Sequence, residues 1–329
     1  MTNWTKRKRL ETTIAGEPTD RPPVALWRHW PGDDQHAAAL AAAHLKWQAD
    51  YDWDLLKVGP ASSYSVVDWG VEDRWDGHIE GTRTTTRYAV TQPDGWEALR
   101  PSDPGRGMLA TQIEALRLIG QTLRGEVPFI ATIFSPLSMA KHLAGNEVLL
   151  SHMRAHPDAL HRGLATLTDS IIAFIDAARD SGIAGIYYAV QHAAYPLLSR
   201  DEFTAFGRPY DRRVLDSAAD LWCNMVHLHG TRVMFDLVAD YPAPLLNWHD
   251  RETGISLRDG LAGFPGAASG GVSQWTIHRD QSDDLLAEAA EARAQTGDRR
   301  LVLGTGCVIM TTTPLFNIRA FRGAAESPR

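Results

Sequence analysis

Eight short apolar runs punctuate this chain of 329 residues, and most are separated by stretches that read as helices. The runs lie at 24–27, 54–58, 128–133, 185–190, 224–229, 244–248, 266–272 and 301–307. Helical stretches fall at 6–15, 36–50, 111–123, 157–180, 199–219, 231–239, 252–261, 282–295 and 314–325. Their signals are local: alanine richness in 36–50, the capping start Ser199-Arg200-Asp201-Glu202, the stop Ser181-Gly182 and Pro314 opening the last helix. Strands that alternate with helices pair in parallel, because the chain must cross over between them. Eight of them predict a (β/α)8 TIM barrel, and this length suits one barrel with insertions. A doubly wound open sheet competes, but no Gly-x-Gly-x-x-Gly follows the first run to support dinucleotide binding. The region 61–104 breaks the rhythm. Within it, residues 82–90 alternate and are rich in β-branched side chains, which predicts a β-hairpin insertion after the second strand. The expectation is one domain over 1–329, with segment 69–90 as a flap at the barrel mouth.

Composition narrows the partners. Hydrophobic residues make up 44% and charged residues 22%, the balance of a globular chain. A net charge of −7 with Lys and Arg dispersed gives no basic face for a phosphate backbone, so nucleic acid is not expected. No window approaches a membrane span, and Met1 to Leu10 is basic without a following apolar run, unlike a secretory leader. The two cysteines, Cys223 and Cys307, offer no disulfide framework. These features predict a cytoplasmic location and no membrane partner.

Active sites of such barrels form at the C-terminal ends of the strands. Those ends carry Arg28 and His29, Lys57, Ser135, Gln191 and His192, His227 and His229, His249 and Asp250, Ser273 and Gln274, and Cys307. In the run Asn224-Met225-Val226-His227-Leu228-His229-Gly230, strand alternation puts both histidines on one face, roughly 7 Å apart. A His-x-His alone proves little in a chain with 13 histidines, and a lone cysteine is more often packing. Their gathering at strand ends is what points to a metal. His227, His229 and Cys307 would leave one position open on a tetrahedral zinc, the catalytic pattern. His192, His249 and Asp250 are candidates for proton transfer, support of the ligands or a fourth ligand. Arg28, Lys57, Gln191 and Trp248 are candidates for holding substrate. The planar fork of Arg28 suits a carboxylate or phosphate, and Trp248 offers an aromatic wall.

The chain resembles the uroporphyrinogen decarboxylase superfamily, and more closely its zinc-dependent methylcobamide:coenzyme M methyltransferase branch. The resemblance runs over nearly the whole chain: Lys8-Arg9-Leu10 to Asp20-Arg21-Pro22-Pro23-Val24; Asp54-Leu55-Leu56-Lys57-Val58; Leu198-Ser199-Arg200-Asp201-Glu202-Phe203; Val226-His227-Leu228-His229-Gly230; and Gly306-Cys307 with Thr313-Pro314-Leu315-Phe316-Asn317-Ile318. It implies a (β/α)8 barrel whose zinc, on the last two motifs, activates a thiol for attack on a methyl group, with a corrinoid as methyl donor. Two departures stand out. The family's ligand pair is His-x-Cys, whereas here the second position is His229. The decarboxylases' Arg-Gln-Ala-Gly-Arg stretch is replaced by Arg28-His29-Trp30-Pro31, where only Arg28 carries over.

The histidine has a physical consequence. One imidazole and two thiolates neutralise Zn²⁺, while two imidazoles and one thiolate leave a formal +1, a stronger Lewis acid. The leading expectation is a zinc-dependent methyl or alkyl transferase acting through a thiol. The alternatives are a zinc lyase or hydrolase on a small polar or anionic substrate, and a non-catalytic barrel that binds a tetrapyrrole or corrinoid. Candidate partners are a small-molecule substrate, a corrinoid protein and a second copy of the chain.

Overall fold

Runs such as Phe129–Phe134, Gly185–Val190 and Ala267–Val272 are buried along their whole length. That is how strands read when helices cover one face of a parallel sheet and its own interior fills the other. A computed structural model of the protein describes residues 4–279 and 282–326; the first three residues of the segment read for a leader lie outside the described residues. Nine strands form: β1 (Leu56–Val58), β2 (Glu72–Arg74), β3 (Thr84–Arg87), β4 (Phe129–Phe134), β5 (Gly185–Val190), β6 (Met225–Leu228), β7 (Leu245–Trp248), β8 (Ala267–Val272) and β9 (Leu301–Thr305). Seven of them pair side by side in the order β1-β4-β5-β6-β7-β8-β9, every pairing parallel. The fold is α/β with a curled parallel sheet, TIM-barrel-like.

The first expected strand, 24–27, is not a strand of this sheet. It makes a single parallel bridge, Val24 to Leu303. Even so, its backbone touches both sheet edges: Ala25 N donates to Leu303 O (3.0 Å), Leu303 N to Pro23 O (2.8 Å) and Asp54 N to Val24 O (2.9 Å). Two further expectations need correction. The stretch 231–239 holds only a 3-10 turn, Phe235–Leu237, because Gly230 and Arg232 adopt positive φ (94° and 49°) and break any helical start. The helix expected over 199–219 is two, Arg200–Phe206 and Arg208–Ser217, parted at Gly207 ahead of Pro209.

Within 61–104, β2 and β3 pair as a two-stranded antiparallel ribbon. The chain between them returns to the rest of the protein at Ile79, whose carbonyl accepts from Thr311 N (2.8 Å) in the segment after β9. Gly81 permits this approach. Its φ is +81°, and a Cβ there would lie 2.7 Å from His29 Cβ and 2.9 Å from Thr311 Cγ2. The ribbon is therefore held at the C-terminal ends of the strands.

Candidate metal centre

Strand parity and register build the site. In the β6–β7 ladder His227 lies opposite Asn247, and in β7–β8 Asn247 lies opposite Ser269. Neighbouring strands stand about 4.8 Å apart, so side chains at matched positions on the same face meet. Asn247 Nδ2 donates to Ser269 O (2.8 Å) and Thr305 O (3.0 Å), which turns its Oδ1 towards His227. That oxygen lies 2.6 Å from His227 Nδ1 and also accepts from Tyr187 OH (3.2 Å). An amide oxygen only accepts, so this network assigns the His227 proton to Nδ1 and frees the Nε2 lone pair for a ligand.

His229 follows β6, and its Nδ1 is 3.8 Å from Cys307 Sγ. Cys307 reaches this point because residue 306 is glycine. A Cβ at Gly306 would sit 2.7 Å from His249 Cα and 2.9 Å from Trp248 O. His249 completes the group: ring centroids are 5.9 Å from His227 to His249 and 5.2 Å from His229 to His249. One ligand atom each from His227, His229, His249 and Cys307 all lie within 4.8 Å of one another. Among the described residues no other such group of His, Cys, Asp or Glu occurs.

The donor set fits a metal ion. Tetrahedral zinc with bonds of 2.0–2.3 Å needs ligand atoms about 3.3–3.8 Å apart, a modest contraction from what is seen. His249 Nε2 is buried with no hydrogen-bond partner among the described residues, an orphaned ring nitrogen beside the other three donors. Burial keeps the imidazoles neutral and therefore able to ligate: His229 and His249 are pushed down to about 4, and His227 well below its ordinary value, with neighbouring imidazoles adding to the effect on His227 and His229. Burial also pushes the Cys307 thiol up to about 12, so without a cation it holds its proton.

Three of these donors, His227, His229 and Cys307, open on a cavity of about 230 Å³. Lys57 and Gln191, both expected at the site, line it with His227, His229 and Cys307. Side chains missed by reading strand ends also line it. Lys141 and His142 come from the helix Pro136–Ala144, while Glu80 and Arg83 come from the ribbon. Besides His249, four expected residues do not line the cavity. Arg28 lies over the Trp30 ring (4.8 Å to its centroid), and its neighbour His29 lines the cavity instead. Trp248 follows an inward Asn247 and so faces the helices, packing edge-on to Phe235 with Nε1 donating to Ile255 O (2.9 Å). The Asp250 carboxylate accepts from Gly271 N (3.2 Å) and supports β8. His192 is buried near Lys141 and His229 with neither ring nitrogen partnered among the described residues, but it does not line the cavity.

Residues 79–327, well over half of the chain, match the family model described as uroporphyrinogen decarboxylase (URO-D). The chain belongs to the uroporphyrinogen decarboxylase family. Within that family it is 18% identical to the methylcobamide:CoM methyltransferase MtbA of Methanosarcina acetivorans, over 99% of both chains. It is 28% identical to a uroporphyrinogen decarboxylase of Mycolicibacterium vanbaalenii, over 78% of this chain and 77% of that one. A methyltransferase structure from Methanosarcina mazei shares the fold, with a TM-score of 0.88 at 21% identity, covering 98% of this chain and 99% of that one. Among the described residues of this family member, no helix is long and apolar enough to cross a membrane.

The buried histidines predict how the metal-free protein responds to acid. Burial pushes His29, His44, His142 and His192 down to about 3, beside the three imidazoles of the donor set. Below pH 6.5 the unfolded chain takes up protons on these rings while the folded one does not, so stability falls as pH falls from 6.5 towards 4. Asp211 and Asp250, both raised to about 7 by burial, act in the opposite sense over pH 7 to 4, as do Asp34, Glu80 and Glu252, which burial also raises, but these five carboxyls stand against seven imidazoles. Melting temperatures of chelator-treated protein should drop steeply between pH 6.5 and 4.5. A flat profile over that range would contradict the assignment.

Proposed function

We propose that this chain is a zinc-dependent transferase that moves a methyl or other alkyl group onto a thiol, with a corrinoid as the methyl donor. The observation that carries the reading is the four-donor set of three neutral imidazoles and one thiol at the strand ends. Relatives named as methylcobamide:CoM methyltransferases support it. His227, His229 and Cys307 would hold the ion, with His249 as a fourth donor that a substrate thiol can replace. Bound there, zinc supplies Lewis acidity that lowers the pKa of a coordinated thiol and keeps it a nucleophile near neutral pH.

The chain's own residues do the rest. Asn247 fixes the His227 tautomer and, through two carbonyl contacts, its orientation. Lys57 and Gln191 face the cavity from β1 and from the end of β5, placed to orient substrate. His192, behind His229, is placed to hold or pass a proton. The ribbon acts as a flap that keeps water from the cavity and selects what enters. The whole is one barrel domain with 61–104 as its insertion. A decarboxylase reading has less support, because the decarboxylases' Arg-Gln-Ala-Gly-Arg stretch is replaced here by Arg28-His29-Trp30-Pro31.

Zinc-loaded protein, methylcobalamin and a simple thiol form a direct test. The expected result is a thioether product, with thiol binding that releases close to one proton at pH 7 in calorimetry across buffers of different ionisation enthalpy. Loss of neither thiol nor methylcobalamin, together with water-dependent turnover of an ester or lactone panel, moves the assignment to a hydrolase.

A further inference from the structure

Beyond the metal donors, the cavity carries charged side chains that form no ion pair with any described residue. Lys57, Lys141 and Glu80 all line it. Lys57 rests on the Tyr187 ring, 4.7 Å from its centroid, and no carboxylate lies within ion-pair distance of it among the described residues. Lys141 likewise has no carboxylate partner there, and the Glu80 carboxylate accepts no hydrogen bond. The fourth charge on the wall behaves differently: Arg83 is neutralised by Asp73 and by Asp34, 3.9 Å away. Leaving ammonium groups buried without a counter-ion is costly, and a protein that keeps them there usually meets their charge with a ligand.

The three charges sit on different walls. Lys57 is in β1, Lys141 is on the helix after β4, and Glu80 is at the turn of the ribbon. Lys57 and Glu80 both act electrostatically on Cys307, and Lys141 on His229, so they surround the thiol and imidazole donors. Gln191 adds a buried Oε1 that no described residue satisfies, an acceptor facing the same space. The wall thus offers two cations, one anion and a neutral acceptor.

We infer that the cavity recognises an α-amino-acid thiol, with Lys57 and Lys141 receiving its carboxylate and Glu80 and Gln191 its ammonium group. This rests on the thiol reading above. The poles match: the thiolate would answer the +1 that Zn²⁺ keeps beside one Cys307 thiolate, and the zwitterionic end sets its carboxylate against two ammonium groups and its ammonium against Glu80. A purely anionic thiol would leave Glu80 unpaired and facing a like charge, which selects against it. A purely cationic thiol would leave both lysines unanswered.

Calorimetric titration of the zinc-loaded protein with L-homocysteine, 3-mercaptopropionate and cysteamine tests this. L-Homocysteine should bind about tenfold or more tighter than either, the scale of one charged hydrogen bond. Glu80→Gln should abolish the preference over 3-mercaptopropionate, and Glu80→Lys should invert it. Lys57→Met and Lys141→Met should weaken both carboxylate-bearing thiols while leaving cysteamine unaffected or improved. Equal or tighter binding of 3-mercaptopropionate to the parent protein, or a preference that survives Glu80→Gln in a variant of parental melting temperature, overturns the inference. If no thiol binds, the metal-thiol reading fails, and L-norvaline, which has the same amino-acid group without sulfur, decides the inference alone. Norvaline binding weakened by Glu80→Gln upholds it; no norvaline binding overturns it.

Discussion

Cys307→Ala and His229→Ala should each take zinc, about one ion per chain in the parent protein, down to a small fraction while the protein stays folded. Both side chains belong to the one group whose ligand atoms fall within 4.8 Å of each other. Cys307 is the sole anionic donor that group can offer, so its removal strips both a bond and the charge that partly neutralises the ion. His249→Ala should weaken zinc less, because His249 is the replaceable fourth donor, whose place a thiol or water can take. Asn247→Leu removes no donor, yet it should weaken zinc by about 10–100-fold, the usual scale for losing the partner that orients a ligating histidine. The order of effects is the informative part: Cys307 and His229 first, Asn247 and His249 after. Elemental analysis of protein purified without chelator, followed by competition with a chromophoric chelator, reads all four variants. Full zinc content in Cys307→Ala would remove the centre from the protein.

Much of that centre was legible because it depends on local rules. The period of two put His227 and His229 on one face, and the β9 run placed Cys307 at a strand end. What sequence could not give was register. Asn247 meets His227 only because β6 and β7 pair with those two residues opposite. The same register turns Trp248 away from the cavity, where Phe134 and Tyr187 supply the aromatic wall instead. His249, read as a proton carrier, a support of the ligands or a fourth ligand, stands among the donors because the backbone at Gly306 passes so close to it. Lys141 and His142 lie late in a helix rather than at a strand end. The only signal for them was a Lys-His pair on an otherwise apolar helix, and that signal does not say which way the helix faces. The first run, 24–27, was apolar enough to read as a strand, but Pro22 and Pro23 before it lack backbone N–H donors, and it makes a single bridge.

Asp54→Ala should destabilise the protein by about 3–5 kcal/mol, the usual cost of removing one partner of a buried ion pair, without touching the metal centre. Its carboxylate is fully buried and takes Arg9 Nη1 (2.7 Å), Arg21 Nη1 (2.6 Å) and Val24 N (2.9 Å). It therefore ties the N-terminal helix, the turn at 20–23 and the bridging segment to the start of β1. Arg9 would keep Asp20, which it meets through two parallel bonds of 2.8 and 2.7 Å. Arg21 would keep the Pro22 carbonyl (3.0 Å) and a 3.9 Å approach to the exposed Glu326. The buried positive charge left behind makes the loss large, and the freed Val24 amide adds to it. Asp54→Asn should recover part of the stability, since its amide oxygen can still accept from Val24 N and one arginine. With a total stability of roughly 5–15 kcal/mol for a folded domain, the alanine variant should melt on the order of 10 °C lower. Asp54 lies at the N-terminal end of β1, the face of a barrel that serves stability rather than catalysis. Zinc content and thiol binding of Asp54→Ala at 15 °C should therefore match the parent. A melting temperature unchanged from the parent would mean that the segment 23–25 is held by its backbone bonds to β9 alone.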